Sequence, residues 1–442
     1  MLDTVIKGGS VIDGRGTPQR QADIGIRDGR IVAIGKIDEA AKQTIDATGL
    51  LVTPGFVDPH THYDAQLFWD PNATPSSLHG VTSVIAGNCG FTLAPLAPAD
   101  ADFTRRMMSM VEGMPLEALE EGIDWNWRTF DDFLERMDDR LAVNAAFMVG
   151  HSALRRFVMG EAATGGKATP GQIEEMVALL HESLEAGGLG FSTSLAYTHI
   201  DGDGEPVPSR FADWTDEVMA LTRAVREHPG TTLEIIVDGC MGSFSDAEVD
   251  LMTNMSVEAQ RPINWNVLQV SADNRENYEH QIGASKRAAK KGGRVVALTM
   301  PIHVPLTMNF RAHCALHLLP GWGEILRLPL DEAMATLKSP EQRKAMMDRA
   351  LSPEAGRFSA LVDWASYIIG ATFSPENEGL TGRKLGEIAA ERGQTPTDAI
   401  FDIVLNDKLE TVLWPGVRNE SDESWQLRFE SWIDEHVLIG GS

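Results

Sequence analysis

Two histidines one residue apart, His60 and His62, close the stretch Thr53-Pro54-Gly55-Phe56-Val57-Asp58-Pro59-His60-Thr61-His62. Alternate residues of a strand point to the same face, so a strand ending here presents two imidazoles side by side. Paired imidazoles suit a divalent cation, and a cation in that place activates water. Other polar side chains follow apolar runs in the same way. His151 comes after Ala145–Val149, His199 lies in the loop Tyr197–Gly204, Asp238 ends the run Leu233–Val237, and His303 follows Met300-Pro301-Ile302. Each is a candidate for touching substrate. Glu234 shares a strand with Asp238, but Asp238, at the strand's end, is the better placed of the two.

Such residues need a frame. From Gly55 onward, short apolar strands alternate with helical patterns. The expected strands are Gly55–His60, Val81–Ala86, Ala142–Val149, Gly188–Ser192, Thr232–Val237, Ile263–Val270, Arg294–Leu298 and Val437–Ile439. Thr169 followed by Pro170 opens a helix whose apolar stripe is Met176, Leu179, Leu180 and Leu184. Further helices are expected over Thr215–Glu227, Ser245–Ala259 and Thr397–Leu405. Repeated β-then-α order implies parallel strands joined by crossover helices, and in a closed barrel of that kind chemistry sits at the strands' C-terminal ends. Residues 2 to about 50 read differently, as short strands and hairpins with Asp28-Gly29 at one turn. The acidic segment 100–140, with Met107, Met108, Met110, Trp125 and Trp127, reads as an insertion over the barrel mouth.

Composition narrows the class. The chain has 442 residues, 43% of them hydrophobic, and a formal net charge of −26. An acidic surface repels nucleic acid and anionic membrane. No apolar run has the length of a bilayer span and the first residues lack the pattern of a leader, so a cytoplasmic protein acting on a small molecule is expected. Cys89, Cys240 and Cys314 are too few for a disulfide framework, and each by itself reads as a buried thiol.

The chain resembles the amidohydrolase superfamily, and within it the D-aminoacylase (N-acyl-D-amino-acid deacylase) group. The resemblance rests on Pro54–Asp64, Gly80–Phe91, Val149-Gly150-His151, Gly188–Thr193 and Val437–Ser442. It implies an α/β fold, a distorted (β/α)8 TIM-like barrel beside a small β-sandwich built from both chain ends. Residues 1–54 would supply the first part of the sandwich and residues 55–442 the barrel. It implies metal-assisted hydrolysis of an amide C–N bond, with His60, His62 and Cys89 as ligands; a thiolate favours zinc. Homo-oligomers are common in this group.

The pattern also departs from the family. The histidine at the end of the fifth strand is replaced at Ile236, and that of the sixth at Asn266 or Val267. Ile and Val cannot ligate a metal, so one zinc ion is expected rather than two, with altered substrate specificity. The family's aspartate, a ligand and general base, is expected just after Ser442, and the end of the barrel and the returning sandwich strands are expected beyond it. Two alternatives stay open: a hydrolase of lactones or other carbonyl compounds, and a non-catalytic binding homologue.

Overall fold

A computed structural model describes residues 1–302, 306–416 and 420–440. Two compact units emerge, Met1–Val57 with Pro75–Ser83, and Asp58–Thr74 with Val84–Ser442. The first holds a five-stranded sheet of β1 (Leu2–Val11), β2 (Arg20–Arg27), β3 (Arg30–Gly35), β4 (Ala41–Asp46) and β5 (Leu51–Val52). Its order is β3-β2-β1-β4, with β5 also on β1. The β2–β3 hairpin turns at Asp28 and Gly29, both at positive φ, as a tight two-residue turn requires. Leu2, Val5 and Ile37 form a small core, while Ile31, Val32 and Ile34 of β3 stay exposed.

Next along the chain are β6 (Phe56–Asp58), β7 (Val81–Ala86), β8 (Asn144–Phe147), β9 (Val149–Gly150), β10 (Gly190–Ser194), β11 (Thr232–Ile236), β12 (Ile263–Trp265) and β13 (Val295–Thr299). Two further strands, β14 (Ile368–Ala371) and β15 (Val412–Trp414), form a two-stranded antiparallel sheet, and β16 (Val437–Ile439) comes last. One sheet runs β6-β7-β8 and another β9-β10-β11-β12-β13-β16. Every pairing in the second is parallel. Met148, between β8 and β9, donates its N–H to Ala86 of β7, and Phe147 accepts from Leu189 beside β10. One broken strand therefore belongs to both sheets. At the far edge a Cβ on Gly440 would lie 2.1 Å from Pro59, so the chain after β16 abuts the end of β6. Eight strand positions thus follow chain order, as the sequence pattern requires for a barrel.

Helices α1 (Ala101–Glu112), α2 (Leu116–Glu121) and α3 (Phe130–Met137) fill the acidic segment between β7 and β8. They are followed by α4 (His151–Met159) and α5 (Pro170–Glu185). Thr169 caps α5 in a reciprocal box with Gln172, and Met176, Leu180 and Leu184 are buried. Ser245 and Glu248 form the same box on the helix Asp246–Ala259.

The region 308–414 was not read as a separate structure from sequence. It holds its own apolar core around Phe310, Trp322, Trp364, Tyr367 and Phe401. Of its elements, the helix expected over Thr397–Leu405 is present as Pro396–Asn406, whereas its two strands have only four and three residues, too short for a period to show.

Replacing Thr169 with Ala removes one half of its capping box and should lower stability by about 1 kcal/mol. A urea midpoint unchanged from wild type would contradict that assignment.

Candidate metal centre

His60 and His62 follow β6, and their placement is set by the residue between them. Thr61 donates both its N–H and its Oγ–H to Ile85 O of β7, each at 2.9 Å. That anchors one side of the segment and leaves both imidazoles on the other. Their ring centroids are 5.2 Å apart and the planes are near-perpendicular.

Cys89 reaches the same place through a strained turn. Gly87, Cys89 and Gly90 have φ of +76°, +55° and +76°. Glycine is needed at both flanks, since a Cβ on Gly87 would sit 2.4 Å from Met148 O and one on Gly90 3.2 Å from Ser194 N. A non-glycine residue at positive φ costs about 1 kcal/mol or more, and such strain persists where the surroundings impose it. Here they do. Asn88 donates its side-chain amide to Thr61 O and Ile85 O, tying the turn to the histidine segment. Ser192 of β10 donates to Gly87 O and accepts from Gly90 N.

The ligand atoms of His60, His62 and Cys89 all lie within 4.8 Å of one another. Cys89 Sγ is 3.7 Å from His60 Nε2. Asn266 Nδ2 approaches the same sulfur at 3.4 Å, so of the two residues left open at the sixth strand, Asn266 is the one that faces the site. Glu234 accepts from Cys89 N at 2.7 Å and stands 3.9 Å from its sulfur. On the other side, Glu112 Oε1 lies 3.2 Å from His62 Nδ1.

The electrostatics are those of a dry site. Burial, with the nearby His199 charge second, pushes the His60 pKa down to about 3, and burial also holds His62 well below its usual value. Burial raises Glu112 and Glu234 to about 8 and Asp64 to about 7. It lifts the Cys89 thiol well above its normal range, with the Glu234 charge adding to the effect. The residues fit a metal ion. Burial leaves both imidazoles neutral, each with a lone pair, and neutral imidazoles converging on a thiol form a donor set for a divalent transition metal.

The other sequence candidates fall elsewhere or are already engaged. His199 is nearest in kind: Ser194 Oγ holds its Nδ1 at 2.7 Å, its ring packs on Phe91, and among the described residues nothing reaches its Nε2. His151 is engaged inside the protein. It is fully buried, with Nδ1 on Thr193 and Nε2 on Glu217, each at 2.8 Å, which leaves neither nitrogen for a substrate. Arg155 makes two bonds to the same Glu217, so this is an internal ion pair.

Asp238 lies apart from the three ligands. It is exposed and accepts from Tyr197 N, while Glu234, ranked below it on sequence, is the strand-five acid inside the site. The available signal was a lone charge within an apolar strand. Ile236 is buried and apolar, as its sequence position implies. His303 lies outside the described residues. Glu112 was missed altogether, since nothing in an acidic segment distinguishes one glutamate from its neighbours.

Residues 43–348 match the family model described as Amidohydrolase family. The chain belongs to the amidohydrolase family. A D-aminoacylase of Alcaligenes xylosoxydans xylosoxydans is 39% identical over 231 residues, covering 52% of this chain and 43% of that relative. The chain thus matches under half the length of that curated relative. An uncharacterised protein of Mycobacterium tuberculosis is 31% identical over 443 residues, covering 94% of this chain and 69% of the relative. A crystal structure of D-aminoacylase superposes with a TM-score of 0.61 at 26% identity, covering 100% of this chain and 76% of the other. That likeness bears out the α/β architecture expected from the amidohydrolase pattern. Among the described residues no helix is long and apolar enough to cross a membrane.

The buried acids set the pH response of metal-free protein. Glu112, Glu234 and Asp64 have folded pKa values raised above their unfolded ones, so they add stability at low pH that is lost as pH rises through about 7 to 8. The depressed histidines act oppositely, but only below about 6.5, where unfolded imidazoles gain protons. Between pH 6.5 and 8 the melting temperature of chelator-treated protein should fall. A flat or rising profile would show that these acids are solvated.

Proposed function

We propose that the protein is a zinc-dependent hydrolase of the amide bond of N-acyl amino acids, with a single ion held by His60, His62 and Cys89. The observation that carries this reading is the convergence of those three side chains. Relatives named D-aminoacylase, N-acyl-D-aspartate deacylase and N-acyl-D-glutamate deacylase support the substrate class. One solved D-aminoacylase structure is titled for one-metal activation and second-metal attenuation at a binuclear centre, so a one-ion site has precedent in that group. Ile236, which offers no donor, and Asn266, an amide in place of an imidazole, favour one ion here.

When bound, zinc would polarise the scissile carbonyl and make a nucleophile available at neutral pH. The chain's own residues do the rest. Asn266 steadies the sulfur by its amide N–H. Glu234 holds the Cys89 backbone and fixes the turn. His199, with Nδ1 engaged by Ser194, has Nε2 to offer the substrate. The buried, apolar surroundings strengthen every such polar contact and keep bulk water out.

Purified protein loaded with zinc should carry about one ion per chain. His60→Ala and His62→Ala should each lose it, together with hydrolysis of an N-acetyl-D-amino-acid panel. Stoichiometric zinc without turnover of amides or lactones would make the chain a binding homologue. No zinc under any loading condition would remove the metal reading.

A further inference from the structure

Glu112 occupies an unfavourable position by every local measure. It is the last residue of α1, and Gly113, at φ +65°, ends the helix there. A carboxylate in the last turn meets the negative end of the helix dipole, and no basic residue shares that turn. Its side chain is only 14% exposed. Two other buried acids, Glu217 and Asp100, are paired with cations, Arg155 and Arg156. Among the described residues no Lys or Arg pairs with Glu112 and no hydrogen bond reaches it. Its one ion-pair neighbour is the His62 ring, at 3.2 Å from Nδ1. That approach is close in distance but off the line of an N–H···O bond, which is why Nδ1 also counts as unpartnered. The neighbouring ligand His60 faces its Nε2 toward the Cys89 sulfur.

We infer that Glu112 is a positioning residue for the metal centre: it accepts the Nδ1–H of His62, fixes that tautomer, and leaves Nε2 for the ion. The inference rests on the zinc reading above. A metal-bound imidazole gives its second N–H to a carboxylate or carbonyl, which orients the ring and raises its basicity, and loss of such a partner weakens metal affinity about 10- to 100-fold. The two histidines would then use the same ring nitrogen. The helix that delivers Glu112 belongs to the segment inserted between β7 and β8, so that segment serves the metal as well as walling the site.

Three proteins test this: wild type, Glu112→Leu, which removes the acceptor at similar size, and Glu112→Gln, which keeps an accepting oxygen. Zinc dissociation constants would be measured by competition with a chromophoric chelator. The expected result is a 10- to 100-fold weakening in Glu112→Leu and a smaller loss in Glu112→Gln. The metal-free melting temperature of Glu112→Leu should be no lower than that of wild type. Histidine 15N spectra of zinc-loaded wild type should place the His62 proton on Nδ1. Zinc affinity in Glu112→Leu within threefold of wild type, or a His62 proton on Nε2, overturns the inference and leaves the zinc reading intact. Wild type that binds no zinc overturns both.

Discussion

Three ligand groups, two of them buried and His62 half-buried, share a space that offers them little water, and that constraint organises the rest of the molecule. His60, His62 and Cys89 converge while burial strips the imidazoles of their protons and holds the proton on the thiol. Three carboxyl groups nearby are forced toward their neutral forms for the same reason. Removing so many polar groups from water is unfavourable unless they find partners. With a dication held by His60, His62 and Cys89, the thiol would ionise and the nearby carboxyl pKa values would fall.

The surrounding architecture holds these groups in place against that cost. Thr61 is locked to β7, which sets the facing of the histidine pair. The turn at residues 87–90 accepts a left-handed cysteine because Ser192 and Glu234 grip its backbone while the Asn88 side chain ties it to Thr61 and Ile85. Gly150 makes room on another side, where a Cβ would lie 2.6 Å from Gly90 O. The centre therefore draws on β6, β7, β9, β10, β11 and the segment after β12, with Ser192 and Glu234 reaching it from the middle of their strands.

How much of this was legible in the sequence follows from distance along the chain. The His60–His62 pair, the strand order and the Thr169 and Ser245 helix starts depend on neighbours a few residues apart, and each was readable. Cys89 was readable only as part of a family-like pattern, since a lone cysteine carries no local signal of ligation. Glu234 and Glu112 were not. Cys89 and Glu234 are 145 residues apart, and no period or turn rule spans that gap. The ranking of Asp238 over Glu234 followed from its place at the strand's end, but the site is entered partway along the strand. His151 opens α4 behind β9 and is held by Glu217, 66 residues further on, again beyond the reach of any local rule.

The most direct test is X-ray absorption at the zinc edge on the loaded protein. The account predicts one sulfur in the coordination shell, from Cys89, together with imidazole scattering from two histidines, and loss of the sulfur in Cys89→Ser. A shell of oxygen and nitrogen alone in wild type, unchanged by that substitution, would contradict it.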